Sequence, residues 1–228
     1  MSRPWRNREA LLLGHSQMEG MAPHFVERLR RSRARTVYQH IERGLSLRTL
    51  QRDLQLGRRQ VLAPEVADEL PFAIVALSGN GPPVTAARDL QSNIYWLRAE
   101  FPQALIAWLG HTITDTGTAA DEQRARAAEL EARLVPSTLP GFIHVDMRVP
   151  DAPLAADGLH FTRAGYRQMA DHAWAQILEA TDTSSAVRSF ASSLLWGMAI
   201  GLTAAAGYHA YQRFRARDDE AGEGAPWR

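Results

Sequence analysis

The 228-residue chain contains no cysteine, which excludes disulfide bonds, a thiol nucleophile and thiolate metal ligands. It also contains no lysine, so all 26 of its basic residues are arginines. Neither sign of charge dominates, because 25 acidic residues leave a formal net charge of +1, and this balance argues against general nucleic-acid binding. An apolar fraction of 45% is ordinary for a globular protein and excludes a largely disordered chain.

The N-terminus lacks a long apolar run, since the three leucines at 11–13 are too few for the core of a signal peptide. The C-terminal region has such a run: residues 189–212 carry no Asp, Glu or Arg and reach the roughly 20 residues that a bilayer requires. We therefore predict a domain at 1–183, a single transmembrane helix within 184–212 and a polar tail at 213–228. A soluble alanine-rich helix packed on the domain is the alternative.

The predicted span suggests a membrane-associated protein with a C-terminal anchor. Gly197 and Gly201 have the spacing of closely packed membrane helices, which predicts self-association through this segment. Arginines follow the span, and the positive-inside rule then places the tail in the cytoplasm and the domain outside. No cleavable signal is visible at the N-terminus, so three routes stay open: export of the domain directed by the single span, a tail-anchored protein with its domain inside, or another route of delivery. The side of the membrane is therefore left undecided.

Short apolar runs alternate with longer amphipathic segments along residues 10–178. We predict strands at 10–13, 36–41, 72–77, 104–109 and 142–145, and helices at 17–35, 47–62, 86–101, 119–134 and 163–178. The run at 72–77 is continuously apolar and lies between Pro71 and a Ser-Gly-Asn-Gly turn, which indicates a strand buried on both faces. This alternation predicts an α/β protein, with a mostly parallel central sheet between two layers of helices.

Ser16 directly follows the first predicted strand and precedes a helix. Ligands of doubly wound sheets bind beyond the carboxyl ends of the strands, and a helix N-terminus favours negative charge. Ser16 is therefore a candidate nucleophile, and its backbone N–H is a candidate donor to an oxyanion. The alternative is that Ser16 only caps the helix.

Asp157 and His160 are three residues apart, just before the last predicted helix, for which Thr162 is the expected N-cap. At this spacing the carboxylate can fix the imidazole tautomer and leave the other ring nitrogen free for a serine hydroxyl. The pair supplies the base and the orienting acid that Ser16 needs. A capping aspartate and an unrelated surface histidine are the alternative.

Gly44 and Asn80 each follow a predicted strand and can complete an oxyanion hole. A glycine offers an unobstructed backbone N–H, and an asparagine offers its side-chain amide. For Asn80 the alternative is a plain tight turn. His15, Gln17 and His111 are further candidates for substrate contact, and for His111 the alternative is a structural or solvent-facing side chain. No metal-binding spacing of histidines and carboxylates is present, so we expect no metal site.

Together these residues resemble the SGNH (GDSL-type) hydrolases over about residues 10–180. Ser16 matches the serine of the family's first block, Gly44 the glycine of the second, Asn80 the asparagine of the third, and Asp157 with His160 the D-x-x-H block. Gly57 is a rival for the second block. The sequence from Gly14 to Gly20 (GHSQMEG) is similar to the G-Q-S-N-M-x-G of sialate O-acetylesterase-type members.

The chain departs from the family pattern where His15 replaces the usual aspartate and where residues 78–81 read Ser-Gly-Asn-Gly instead of G-x-N-D. These departures bear on the substrate more than on the mechanism. The resemblance implies a serine esterase that hydrolyses acyl or acetyl esters of a carbohydrate or related compound without a cofactor. A membrane-bound O-acyltransferase of the same family and a non-catalytic binding or assembly domain are the alternatives.

Overall fold

The computed structural model describes residues 3–77, 87–112, 119–149, 151–158 and 160–182, without the side chains of 119–121. All of them belong to one compact unit, Met1–Phe190. The elements are, in chain order, β1 (Glu9–Gly14), α1 (Ser16–Arg31), β2 (Thr36–Ile41), α2 (Leu47–Gln55), α3 (Pro64–Glu69), β3 (Phe72–Ala76), α4 (Ala87–Glu100), β4 (Leu105–Leu109), α5 (Ala119–Thr138), β5 (Phe142–Val145) and α6 (Arg163–Asp182).

The five strands form one parallel sheet in the order β2-β1-β3-β4-β5. Successive side chains of a strand point to opposite faces, so the sheet carries two cores. Leu12 and Ile74 face a cluster with α1 and α6, whereas Leu13 and Val75 face a cluster with α2, α3, α4 and α5. The predicted three-layer α/β/α architecture with a parallel sheet is confirmed.

The predicted helix at 47–62 is wrong in its second half. α2 ends at Gln55, and Gly57 adopts a left-handed φ of 63°. The N–H of Gly57 donates to Leu54 O and that of Arg58 to Asp53 O, each at about 3 Å, which is the Schellman arrangement that closes a helix. A separate short helix, α3, then begins with Pro64 in its first turn.

The predicted helix at 17–35 also ends early, at Arg31, because Arg33 has a left-handed φ of 67° and the chain turns into β2. The other predicted elements are present with shifts at their ends. The predicted transmembrane helix within 184–212, including Gly197 and Gly201, and the tail at 213–228 lie outside the described residues. In the part of the chain that the structure describes, no helix is long and apolar enough to span a membrane.

Candidate active site

The turn between β1 and α1 presents Ser16 as the first residue of a helix. His15 is the N-cap, since its Nδ1 accepts the backbone N–H of Gln17 at 3.3 Å. Ser16 is therefore not the N-cap of α1, and its hydroxyl can bond to another group. The backbone N–H of a first helical residue has no partner within its own helix.

Asp157 and His160 form a compact pair in the loop before α6. Asp157 Oδ2 lies 2.7 Å from His160 Nδ1, and Asp157 Oδ1 accepts the backbone N–H of His160 at 2.9 Å. The carboxylate only accepts, so Nδ1 carries the hydrogen and Nε2 of the neutral ring is an acceptor. The loop is closed by a hydrogen bond from Ala155 N–H to His160 O at 2.8 Å.

The structure brings this pair to Ser16, which is 144 residues away in the sequence from His160. His160 Nε2 lies 3.2 Å from Ser16 Oγ, within hydrogen-bond distance, so the serine hydroxyl can donate to the imidazole. The side chains of Asp157 and His160 are 52% and 37% exposed, which leaves this arrangement open to solvent and ligands. The three groups have the relative geometry of a serine–histidine–carboxylate triad.

Contacts between α1 and α6 set the position of this loop relative to Ser16. The ring of Tyr166 packs so closely on Gly20 that a Cβ at Gly20 would lie 2.4 Å from two ring carbons. Tyr166 also packs edge-on against Phe161, with 5.8 Å between the ring centroids. Thr162 accepts the N–H of Gly165 at 3.1 Å, as the predicted N-cap of α6 requires.

Gly44 lies in the loop after β2, beside the β1–α1 turn. Arg43 binds Glu19 in the first turn of α1 through two hydrogen bonds of 2.7 and 3.1 Å, which holds this loop near Ser16. Within the described ranges, the N–H of Gly44 donates to no other group, whereas the N–H of the rival Gly57 is occupied by Leu54 O. Of the two glycines, Gly44 is thus the one with an available donor.

Asn80 and the turn around it, residues 78–86, lie outside the described residues. The strand that leads to them is well defined: β3 runs beside β1, and Ala76 pairs with Gly14. The role of Asn80 as an oxyanion donor therefore stays a prediction.

His15 and Gln17 flank Ser16 and are both buried. Burial is the main reason that the pKa of His15 falls to about 4, and electrostatic interaction with the neighbouring His111 and His160 lowers this pKa further. His15 is consequently a neutral imidazole at physiological pH. Both side chains line a small cavity with Met21, Ala76, Leu109, Gly110, Thr112 and Met147.

His111 lies at the carboxyl end of β4 and is only 3% exposed. Its Nδ1 lies 3.0 Å from Glu131 Oε2, and the same oxygen accepts the His111 backbone N–H at 3.1 Å. Glu131 Oε1 accepts the indole N–H of Trp108 at 3.1 Å. Sequence reasoning missed Glu131, because one acidic residue in the charged, alanine-rich helix α5 gives no sign of being buried.

Among the residues that the structure describes, no three histidines and carboxylates are placed to share a metal ion.

No protein-family model and no curated protein matches the sequence. Solved structures do match. They include the lipase Lip_vut3 from a goat rumen metagenome (12% identity, 74% of this chain and 96% of that one, TM-score 0.57). A second match is a protein assigned as an SGNH hydrolase from Slackia heliotrinireducens (20% identity, 75% of this chain and 98% of that one, TM-score 0.54). A third is a family 3 carbohydrate esterase from Clostridium thermocellum (11% identity, 76% of this chain and 96% of that one, TM-score 0.55). The fold is therefore that of the SGNH and GDSL-type hydrolases, which the sequence motifs indicated.

Proposed function

We propose that this chain is a serine esterase that removes acyl groups, in the first instance acetyl, from a carbohydrate or a related ester. The observation that carries the proposal is the chain of contacts from Ser16 Oγ to His160 Nε2 and from His160 Nδ1 to Asp157 Oδ2, at 3.2 and 2.7 Å. It occurs at the carboxyl ends of parallel strands, where ligands of such sheets bind. The neighbours that share this fold include lipases and esterases.

In the acylation half of the reaction, Ser16 Oγ attacks the ester carbonyl while His160 Nε2 takes the hydroxyl proton. Asp157 keeps the imidazole in the required tautomer and stabilises the imidazolium that forms. The oxyanion is held by the N–H groups of Ser16 and Gly44 and by the side-chain amide of Asn80. When the carbon–oxygen bond to the alcohol breaks, His160 gives the proton to the departing alcohol.

In the deacylation half, His160 removes a proton from water, and the resulting attack on the acyl-serine forms a second tetrahedral oxyanion. Collapse of this intermediate releases the carboxylic acid and returns the proton to Ser16. None of these steps requires a cofactor. Each oxyanion donor is worth roughly 3–4 kcal/mol of transition-state stabilisation, by analogy with measured oxyanion holes.

Two observations favour an acetylated carbohydrate as the substrate class. The first motif, from Gly14 to Gly20, is similar to that of sialate O-acetylesterase-type proteins, and one neighbour in the solved structures is a family 3 carbohydrate esterase. His15 and Gln17 are the residues of this motif nearest the nucleophile in sequence. We assign them to substrate contact, together with His111.

The test is the hydrolysis of p-nitrophenyl acetate by the full chain and by its Ser16→Ala variant. Ser137→Ala is the matched control, because Ser137 lies on α5 and donates to Arg133 O within that helix. We expect Ser16→Ala to lose at least about a thousandfold in kcat/KM, as removal of a triad nucleophile does. Equal rates in wild type and Ser16→Ala would contradict the proposal. Transfer of acetyl to an added sugar in place of acetate release would favour the acyltransferase alternative.

A further inference from the structure

A second carboxylate–imidazole pair, Glu131 with His111, lies at the same edge of the sheet as the first. Its two side chains are 1% and 3% exposed, and the esterase steps above use neither of them in proton transfer. Glu131 accepts hydrogen bonds from the ring and the backbone of His111 and from Trp108. The pair is thus held in one orientation by α5 and β4.

This orientation fixes what the free ring nitrogen can do. Because Glu131 accepts from Nδ1, that nitrogen carries the hydrogen, and Nε2 of the neutral His111 ring is an acceptor. His111 Nε2 is buried, and in the part of the chain that the structure describes it has no hydrogen-bond partner. Buried polar atoms in native proteins nearly always have a hydrogen-bond partner, which for an acceptor such as Nε2 is a donor from the protein, from water or from a ligand.

The pair is close enough to Ser16 to meet one ligand. β1 pairs with β3 and β3 with β4, with aligned carboxyl ends, and neighbouring strands are ~4.8 Å apart, so the ends of β1 and β4 are ~10 Å apart. This is about the reach of a sugar ring joined through an ester. The residues on either side of His111 also line the same small cavity as the residues on either side of Ser16.

We propose that the Glu131–His111 pair is a specificity element of the esterase site, in which His111 Nε2 accepts a hydrogen bond from a hydroxyl group of the alcohol part of the ester. Glu131 is the positioning residue that fixes the tautomer. This inference rests on the proposed esterase function, and it narrows the substrate to esters of polyhydroxylated alcohols. A desolvated acceptor discriminates strongly against a ligand that lacks the donor, because the unpaired atom then stays unsatisfied.

The ligand-side test uses the wild-type full chain and two esters. One is a methyl glucoside acetylated on its primary hydroxyl, and the other is the same compound with its remaining hydroxyls methylated. We expect the hydroxylated ester to have a kcat/KM at least roughly tenfold higher, the size of one hydrogen bond to a desolvated group. A ratio near one, in an enzyme whose activity depends on Ser16, would overturn the specificity proposal and leave the esterase proposal standing.

The protein-side test compares two substitutions of His111. Asn keeps a donor where Nδ1 was, and so keeps the bond to Glu131, but it lacks Nε2. Gln keeps an acceptor near the position of Nε2 but loses the bond to Glu131. We expect His111→Asn to lower the selectivity ratio of the two esters about tenfold and His111→Gln to retain more of it; a purely structural role for His111 predicts the reverse order.

A binding measurement covers the case in which neither variant folds. In the Ser16→Ala full chain, the ring nitrogen signals of 15N-labelled His111 are followed while each ester is added. We expect the Nε2 signal to shift with the hydroxylated ester and not with the methylated one. Signals that stay fixed at saturating ester would show that a resident water alone satisfies Nε2, and they would overturn the proposal.

Discussion

Two carboxylate–imidazole pairs in the described part of the chain lie in different environments. Asp157–His160 is about half exposed and ends at Ser16 Oγ, whereas Glu131–His111 is almost fully buried and ends at no protein group among the described residues. The exposed pair can exchange a proton with a reacting hydroxyl and with water. In the buried pair, the Glu131 carboxylate accepts hydrogen bonds from the ring and the backbone of His111 and from the indole of Trp108. These bonds fix the orientation of the His111 ring, which suits the pair to recognition. Environment, and not residue type, separates a general base from a binding group.

The largest effect that tests this distinction is expected for Asp157→Asn. The amide presents an N–H where the carboxylate oxygen accepted Nδ1–H, so the imidazole is pushed toward the tautomer that cannot accept the serine proton. We expect kcat for p-nitrophenyl acetate to fall roughly a thousandfold to ten-thousandfold, as in other triads. Full activity with unchanged folding by circular dichroism would show that the exposed pair is not the catalytic one.

Asn80→Ala comes next. Loss of one oxyanion donor is expected to lower kcat by about two to three orders of magnitude, because the lost interaction strengthens in the transition state. Asn93→Ala, on α4, is a control of the same type away from the strand ends. Near-wild-type turnover of Asn80→Ala would show that Asn80 is not an oxyanion donor. The oxyanion hole would then consist of the Ser16 and Gly44 amides.

Much of the site was predictable from sequence, for local reasons. Asp157 and His160 meet within one loop, so their spacing alone indicates the pair, and Ser16 is marked by the apolar strand before it. The contact of this pair with Ser16 depends on how α6 packs on α1, and no local pattern encodes that packing. Only the resemblance to the SGNH hydrolases predicted from sequence that the pair and the serine act together.

The parts that sequence reasoning missed depend on burial and on the backbone. Glu131 is chemically indistinguishable from the exposed Glu122 and Glu129 of the same helix until β4 is placed against it. The early end of α2 follows from one left-handed residue, Gly57, although the apolar pattern continues beyond it. Local pattern fixes an element's existence, whereas tertiary contacts decide which polar residue is buried.

A third prediction concerns His15, which lies beside both pairs and is neutral in the folded protein. Its pKa is about 4 when folded and near 6.5 when unfolded, so the unfolded chain binds the extra proton first. Stability from this residue is therefore full above about pH 6.5 and is lost as the pH falls toward 4, by about 3 kcal/mol in total.

The check compares the free energy of unfolding of wild type and His15→Asn across this pH range. Asparagine is a good N-cap and keeps an acceptor for the N–H of Gln17, so the comparison isolates the titration. We expect the variant to have a shallower dependence on pH between 4 and 6.5. Identical slopes would contradict the burial of a neutral His15 in the folded protein.

The smallest effect is expected for Gly20→Ala, which tests how the contact of α1 with α6 positions the Asp157–His160 pair. Gly20→Ala puts a methyl group into the ring of Tyr166, so α6 or the ring must move, at a cost of about 1–3 kcal/mol. The same shift should lengthen the contact of His160 with Ser16 and lower kcat more than it raises KM. Tyr166→Leu in the same chain makes room and should recover part of the loss; additive losses in the double variant would contradict the contact.

The central claim is that the exposed pair activates Ser16, and covalent labelling tests it most directly. The folded full chain is treated with a fluorophosphonate, and the adduct is located by peptide mass spectrometry. We predict one adduct, on Ser16, that forms at least about a hundredfold more slowly in His160→Gln and at the wild-type rate in the control His24→Gln. An adduct on another serine, or none in a folded protein, would contradict the account.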